Sequence, residues 1–196
     1  MKKIDKILIG THNKGKFKEI SDLLPKNIER ISPVSLNIKS PYEGGKTFGE
    51  NSEIKADFFC KKSKLITLSD DSGLEIDCLN GQPGIFSSRW ADKFGGFHNA
   101  MTEILKKVKA LKKGTTAQFV CSLTIQWPDG KKITEEGKIK GNISSKKGNN
   151  GFGYDPIFIP NGYTKTFGEM NYKEKLLIDH RYLAYKKLED KIKIYF

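Results

Sequence analysis

No stretch of the 196-residue chain approaches the roughly 18–20 apolar residues that a bilayer-spanning helix requires, so no membrane-spanning helix is expected. Cysteine is scarce. Cys60, Cys78 and Cys121 are widely separated, odd in number and without CxxC spacing, which argues against both a disulfide framework and a zinc site. Each sits in an apolar pattern and reads as a small buried side chain. His12 and His98 show no metal-ligand spacing. The basic start, MKKIDKILIGTHNKGK, has an apolar stretch of only a few residues and no small-residue cleavage site, so it reads as a first strand and not as a signal peptide. A soluble, non-exported, cytoplasmic protein is the expectation, which leaves the glycosylation pattern Asn142-Ile143-Ser144 without weight. Internal repeats and low-complexity linkers are also absent.

What is present fits a folded α/β protein. Hydrophobic residues make up 37% and aromatics 11%, too rich for disorder, and the length suits one domain or two closely packed lobes. The net charge is +12, compatible with nucleic acid, an anionic membrane or a phosphorylated small molecule. Lys predominates over Arg and is scattered along the chain, as on any solvated surface. With no basic helix or aromatic RNA-binding signature, stable nucleic-acid binding is not expected.

Strand-like and helix-like stretches alternate. Ile7-Leu8-Ile9 reads as a buried strand, and Phe17, Ile20, Leu23 and Leu24 mark a helix ended by Pro25. A second strand is expected over Ile31 to Leu36 and a helix over Glu50 to Lys62. A buried strand, Leu65 to Leu68, runs into Ser69-Asp70-Asp71-Ser72-Gly73, and Leu74, Ile76 and Cys78 alternate like a half-buried strand. A turn at Asn80 to Gly84, a helix from Asn99 to Leu111 and a strand from Ala117 to Trp127 follow. The turn Pro128-Asp129-Gly130 then leads into a hairpin partner, Lys131 to Gly141. Tyr154 to Ile159 is expected as a strand and Asn171 to about Leu188 as helical, giving a mixed sheet in one chain of residues 1–196 without separable domains.

Four segments carry candidate chemistry. Gly10-Thr11-His12-Asn13-Lys14-Gly15-Lys16 nearly completes a P-loop, but Phe17 stands where a hydroxyl is needed. A strand-to-helix turn still presents free N–H groups and the positive helix end to a phosphate; otherwise it is a helix start capped by Thr11 or Asn13. Asp70-Asp71-Ser72-Gly73 places adjacent carboxylates at a strand's end, where a hard divalent ion could be held with substrate phosphates and a water deprotonated; a capped turn is the plainer alternative. Glu43 could fold over as a further ligand. In Gly148-Asn149-Asn150-Gly151-Phe152-Gly153-Tyr154-Asp155, glycines permit close approach and Phe152 and Tyr154 offer faces for a flat base, or else the aromatics enter the core. Lys175 with Asp179-His180-Arg181 supplies donors for a ring carbonyl or a phosphate, or is merely surface.

Taken in order, THNKGKFKEI, KTFGENSEIKA, SDDSGLEIDCLNGQPGIFSSRWA, GFGYDPIF and DHRYLA resemble the motifs of the inosine triphosphate pyrophosphatase family, also called the dITP/XTP pyrophosphatases. The resemblance runs from Lys6 to about Leu188. It implies an elongated mixed sheet with two α/β lobes flanking a central cleft, a homodimer, and Mg²⁺-dependent cleavage of the α–β phosphate bond of ITP, dITP or XTP. Carried over, Asp71 is the proton acceptor and a metal ligand, with Asp70 and Glu43 as further metal ligands. Thr11, His12, Asn13, Lys14, Gly15 and Lys16 hold the triphosphate, with Ser72 and Lys175. Phe152, Gly153, Tyr154 and Asp155 cradle the base, and His180 with Arg181 read its 6-oxo group. Two departures stand out: Asp179 replaces the usual Ser, which opens an alternative of relaxed specificity, and Tyr42 precedes Glu43 where the family often has two acids.

Overall fold

The computed structural model describes residues 3–195, so Met1 and Lys2 of the basic start, and Phe196, lie outside it. The elements are β1 (Lys6–Ile9), α1 (Lys14–Leu23), β2 (Glu29–Ile31), α2 (Phe48–Ser63), β3 (Thr67–Ile76), α3 (Ser87–Lys93), α4 (Phe97–Leu111), β4 (Thr116–Gln126), β5 (Lys132–Ile143), β6 (Phe158–Pro160), α5 (Tyr172–Leu176) and α6 (His180–Ile192), with short 3₁₀ turns between them. One six-stranded sheet has the order β2-β1-β3-β4-β5-β6. It is mixed: β1 pairs in parallel with β2 and with β3, whereas β5 and β6 run antiparallel. Among the described residues no helix is long and apolar enough to cross a membrane.

The chain divides into two compact units. The first comprises Met1–Asp71, Cys121–Gly137 and Arg181–Phe196; the second comprises Ser72–Val120 and Lys138–His180. In the first, Ile7 and Ile9 of β1, Leu68 of β3, and Cys121, Leu123 and Ile125 of β4 meet Ile20 of α1 and Ala184, Tyr185 and Leu188 of α6 in one apolar cluster. The second has its own cluster, built from Leu74, Ile76, Met101, Ile104, Phe119, Phe158 and Phe167. Both follow from strand alternation facing helix stripes.

Several expectations need revision. Asp70-Asp71-Ser72-Gly73 is not a turn after a strand; it lies within the continuous ten-residue β3. The expected strand over Ile31 to Leu36 stops at Ile31, because Pro33 takes a helical backbone and opens a 3₁₀ turn over Val34–Leu36. Tyr154 to Ile159 is mostly a 3₁₀ turn over Asp155–Ile157 with Pro156 in it, and strand pairing begins only at Phe158. The C-terminal helix is broken between α5 and α6, leaving His180 at the start of α6. Cys78 belongs to a 3₁₀ turn, and α3 had no clear apolar period to announce it.

Candidate active site

The turn between β1 and α1 is built by its own side chains. Thr11 Oγ1 accepts a hydrogen bond from the Asn13 amide at 3.2 Å, and Asn13 caps α1 by accepting from the Lys16 amide at 3.0 Å. Gly10 permits this path: a Cβ there would lie 2.1 Å from Ser69 Oγ and 2.7 Å from the Phe59 ring. His12 reaches Ser40, its Nδ1 2.7 Å from Ser40 Oγ. Lys14 is exposed, while Gly15 and Lys16 are half-buried.

Because successive strand residues face opposite ways, Asp70 and Asp71 on β3 meet different partners. Asp70 is fully buried, and its Oδ2 lies 3.1 Å from both Lys16 Nζ and Arg181 Nη2. Arg181, also fully buried, places its other terminal nitrogen on Glu19 of α1. Burial opposes ionisation of Asp70, but Lys16 and Arg181 outweigh it and hold the carboxyl well below the ordinary carboxylate range.

Asp71 faces α2. Its Oδ2 accepts from the Asn51 side-chain amide at 3.1 Å, and its Oδ1 lies 3.4 Å from Lys55 Nζ. Lys55 reaches Glu43 as well, at 3.0 Å. Asn51 has a second task, because its Oδ1 accepts from the Gly45 amide at 2.8 Å and so ties the irregular Glu43 segment to α2. Burial pushes the Asp71 carboxyl above its ordinary value against the pull of Lys55 and Lys16, and Glu43 and Asp70 push the same way. Lys55 is buried, which favours loss of its proton, yet Asp71, Asp70 and Glu43 prevail and its pKa is raised.

In the second unit, Lys175 Nζ lies 2.7 Å from Asp155 Oδ2, both side chains nearly excluded from solvent. That same oxygen accepts from the Phe152 amide at 2.8 Å. Gly151, at φ +73°, allows the turn, since a Cβ would fall 2.1 Å from Asp155 Oδ2. The Lys175 ammonium lies 4.7 Å from the centre of the half-buried Phe152 ring, a cation–π contact. Gly153 and Ser72 are half-buried. Tyr154, expected to offer a face to the base, is instead a core residue: it packs edge-on against Phe97, and its hydroxyl donates to the Ser87 carbonyl at 2.8 Å. His180 is buried and stacked on Phe119 at 4.9 Å.

Thus the first unit brings Thr11 to Lys16, Glu43, Asp70, Asp71 and Arg181 together, and the second brings together Phe152, Asp155 and Lys175. Arg181 is met by the carboxylates of Glu19 and Asp70, partners that the sequence does not announce. Glu19, Asn51 and Lys55 were also missed as participants. Their signal was polar residues at helical spacing on otherwise buried faces: Lys16 and Glu19 are three apart, and Asn51 and Lys55 four apart.

Known proteins share both the sequence and the fold that carry this geometry. The chain matches the Ham1 family over residues 7–191. It is 39% identical to a dITP/XTP pyrophosphatase of Zymomonas mobilis, covering 93% of this chain and 90% of that one. It is 43% identical to a dITP/XTP pyrophosphatase of Rhizobium meliloti, covering 88% and 85%. Among solved structures, a HAM1 protein from Coxiella burnetii superposes with a TM-score of 0.87 at 32% identity, covering 96% of this chain and 98% of that one. The Staphylococcus aureus Ham1 protein gives 0.86 at 32% identity, covering 97% and 100%.

Proposed function

From the premise that the chain belongs to the Ham1 family, we propose that it is a pyrophosphatase of non-standard purine nucleoside triphosphates, splitting the α–β phosphate bond of dITP, ITP or XTP to give the monophosphate and pyrophosphate. The observation that carries the reading is the grouping, within one compact unit, of a capped helix start bearing Lys16 with the carboxylates of Glu43 and Asp71. Anionic phosphate and a cation that binds it need these two kinds of group side by side.

The donor set fits a hard divalent cation. Glu43 and Asp71 approach one ammonium from two elements, so their oxygens already converge on a positive charge. Mg²⁺ is typically held by one or two carboxylates plus substrate phosphates, and Glu43 and Asp71 supply two. Glu43 and Asp71 would hold it, and when bound it supplies neutralisation of the phosphate charge. Asp70, expected as a third ligand, instead anchors Lys16 through the shared Oδ2.

The protein's own residues supply the rest. The positive end of α1 favours the polyphosphate, with Lys16, held in place by Asp70, as the added charge. Asp71 accepts the proton of the attacking water, and its raised pKa makes it the better base of the two aspartates. The Asn51 amide fixes that carboxylate, so one oxygen stays oriented while the other is used. Lys175, expected on the triphosphate, meets Asp155 instead and is assigned with Phe152, Gly153, Asp155 and His180 to the base, where donors favour a 6-oxo group over adenine's amino group.

We further propose a cytoplasmic homodimer without a stable nucleic-acid partner. Light scattering tests the dimer, and filter binding at two salt concentrations tests the partner. The function itself is tested by pyrophosphate release across nucleotides with and without Mg²⁺. Preference for dITP, ITP and XTP over dGTP and dTTP is expected. Equal turnover of all would replace it with the relaxed-specificity reading that Asp179 prompts, and no metal-dependent release would remove it.

A further inference from the structure

Lys55 sets its ammonium between two carboxylates. Its ammonium lies 3.0 Å from Glu43 Oε1 and 3.4 Å from Asp71 Oδ1, and the residue is only 7% exposed. Those two carboxylates come from unrelated places, one from an irregular segment and one from β3. Asp71 is buried and Glu43 partly exposed, and two carboxylates brought this close repel each other unless a positive charge or a shared proton lies between them. Here that charge comes from α2, whose Asn51, one turn before Lys55, holds both the Glu43 segment and the second oxygen of Asp71. A single helix face therefore assembles the acidic pair and neutralises it.

We infer that Lys55 is an internal placeholder for the metal: without metal it keeps Glu43 and Asp71 together, and metal binding displaces its ammonium from them, freeing it for a polyanionic substrate. The inference rests on the metal-dependent reading above and adds a thermodynamic consequence to it. A metal arriving alone must break two ion pairs made by a buried lysine, so its affinity is lowered. A polyphosphate arriving with it offers the displaced ammonium a new partner, so metal and polyphosphate favour each other's binding. The cost of the arrangement is weak metal binding; its gain is an acidic pair already in place before the metal arrives.

The test measures binding, not turnover. Calorimetric titration of Mn²⁺ into the nucleotide-free protein is compared with the same titration of Lys55→Gln and Lys55→Arg. Lys55→Gln should bind Mn²⁺ roughly tenfold more tightly, within the usual range of coupling between sites. Lys55→Arg, which keeps the charge, should stay close to the parent. Metal-free Lys55→Gln should also melt at a lower temperature than the parent and gain more from saturating Mn²⁺. Equal or weaker Mn²⁺ binding by Lys55→Gln overturns the placeholder while leaving the metal site standing. No Mn²⁺ binding by either protein overturns both.

Amide hydrogen exchange on the unaltered protein is independent of how the variants fold. The Gly45 and Lys46 amides, bonded to Asn51 and Glu50, should already be protected without metal and change little on adding Mn²⁺. A large Mn²⁺-induced gain in their protection would show that the Glu43 segment is not already in place without metal, and the inference would fail.

Discussion

The guanidinium of Arg181 and the carboxylate of Asp70 lie 3.1 Å apart with no exposure to solvent, and they join the start of α6 to the middle of β3. The same Asp70 oxygen meets Lys16, so the Thr11 to Lys16 turn, proposed to hold phosphate, is tied through Asp70 to a residue near the other end of the chain. Glu19 completes the group by pairing with Arg181. A carboxylate so engaged cannot easily take a proton from water, whereas its neighbour Asp71 can. Strand alternation thus divides two adjacent aspartates into one held by Lys16 and Arg181 and one, Asp71, that we propose as the base.

Removing the anchor should be costly. Asp70→Asn takes a carboxylate away from both Lys16 and Arg181, and breaking a buried pair typically costs about 3–5 kcal/mol. Chemical denaturation is expected to show a loss of that order, with Glu19→Gln also destabilising and weakening triphosphate binding through Lys16. The pH dependence has a definite sign. The folded pKa of Asp70 is held low, so its contribution is present above the unfolded value near 3.9 and is lost as pH falls through the lower folded value. The denaturation deficit of Asp70→Asn should therefore be full at neutral pH and shrink in strong acid. A deficit independent of pH would count against the ion pairs as its source.

Asp71 predicts the opposite sign. Its folded pKa is raised, so ionisation at neutral pH works against the folded state, and the associated stability is lost as pH rises from the unfolded to the folded value. Asp71→Asn should melt at or above the parent temperature at pH 7 without metal, and the advantage should vanish below about pH 4. Pyrophosphate release should fall by about 10²–10⁴, the usual range for a general base. Near-normal turnover would dismiss Asp71 from that role.

Much of this is legible in the amino-acid sequence itself. The Thr11 to Lys16 turn, the α2 start and the Asp70-Asp71 pair stand out because Gly, Asn and Asp carry local signals of turn and cap. What stayed hidden depends on distant partners. Arg181 looked like a donor for a ligand because its acceptors, Glu19 and Asp70, are 162 and 111 residues away in sequence. Tyr154 looked like a base platform because an aromatic beside glycines reads the same whether it faces a ligand or, as here, the carbonyl of Ser87. Asp70 and Asp71 read as the end of a strand, with a capped turn as the alternative, because two charges inside a strand are unfavourable until Lys16, Arg181, Asn51 and Lys55 are brought to them.

The Tyr154 assignment can be separated from that of Phe152. Tyr154→Phe removes one buried hydrogen bond to the Ser87 carbonyl and should cost about 1 kcal/mol of stability while leaving kcat/KM for dITP nearly unchanged. Phe152→Ala removes the ring under the Lys175 ammonium and should raise KM for dITP with a smaller change in melting temperature. A large KM effect from Tyr154→Phe would return that residue to the base site.

The contact between His12 and Ser40 makes a final prediction. His12 belongs to the phosphate turn, and Ser40 lies three residues before Glu43 on the segment that brings this acid to Lys55. If the 2.7 Å contact serves to hold the segment, Ser40→Ala and His12→Ala should both raise the Mg²⁺ concentration needed for half-maximal pyrophosphate release. The double variant should then be no worse than the poorer single one, because both changes remove the same interaction. A histidine acting directly on phosphate gives a different pattern: His12→Ala raises KM for the nucleotide, while Ser40→Ala does nothing. The two single variants and their combination, titrated with Mg²⁺ and with dITP in turn, distinguish a clasp on the metal-ligand segment from a phosphate contact.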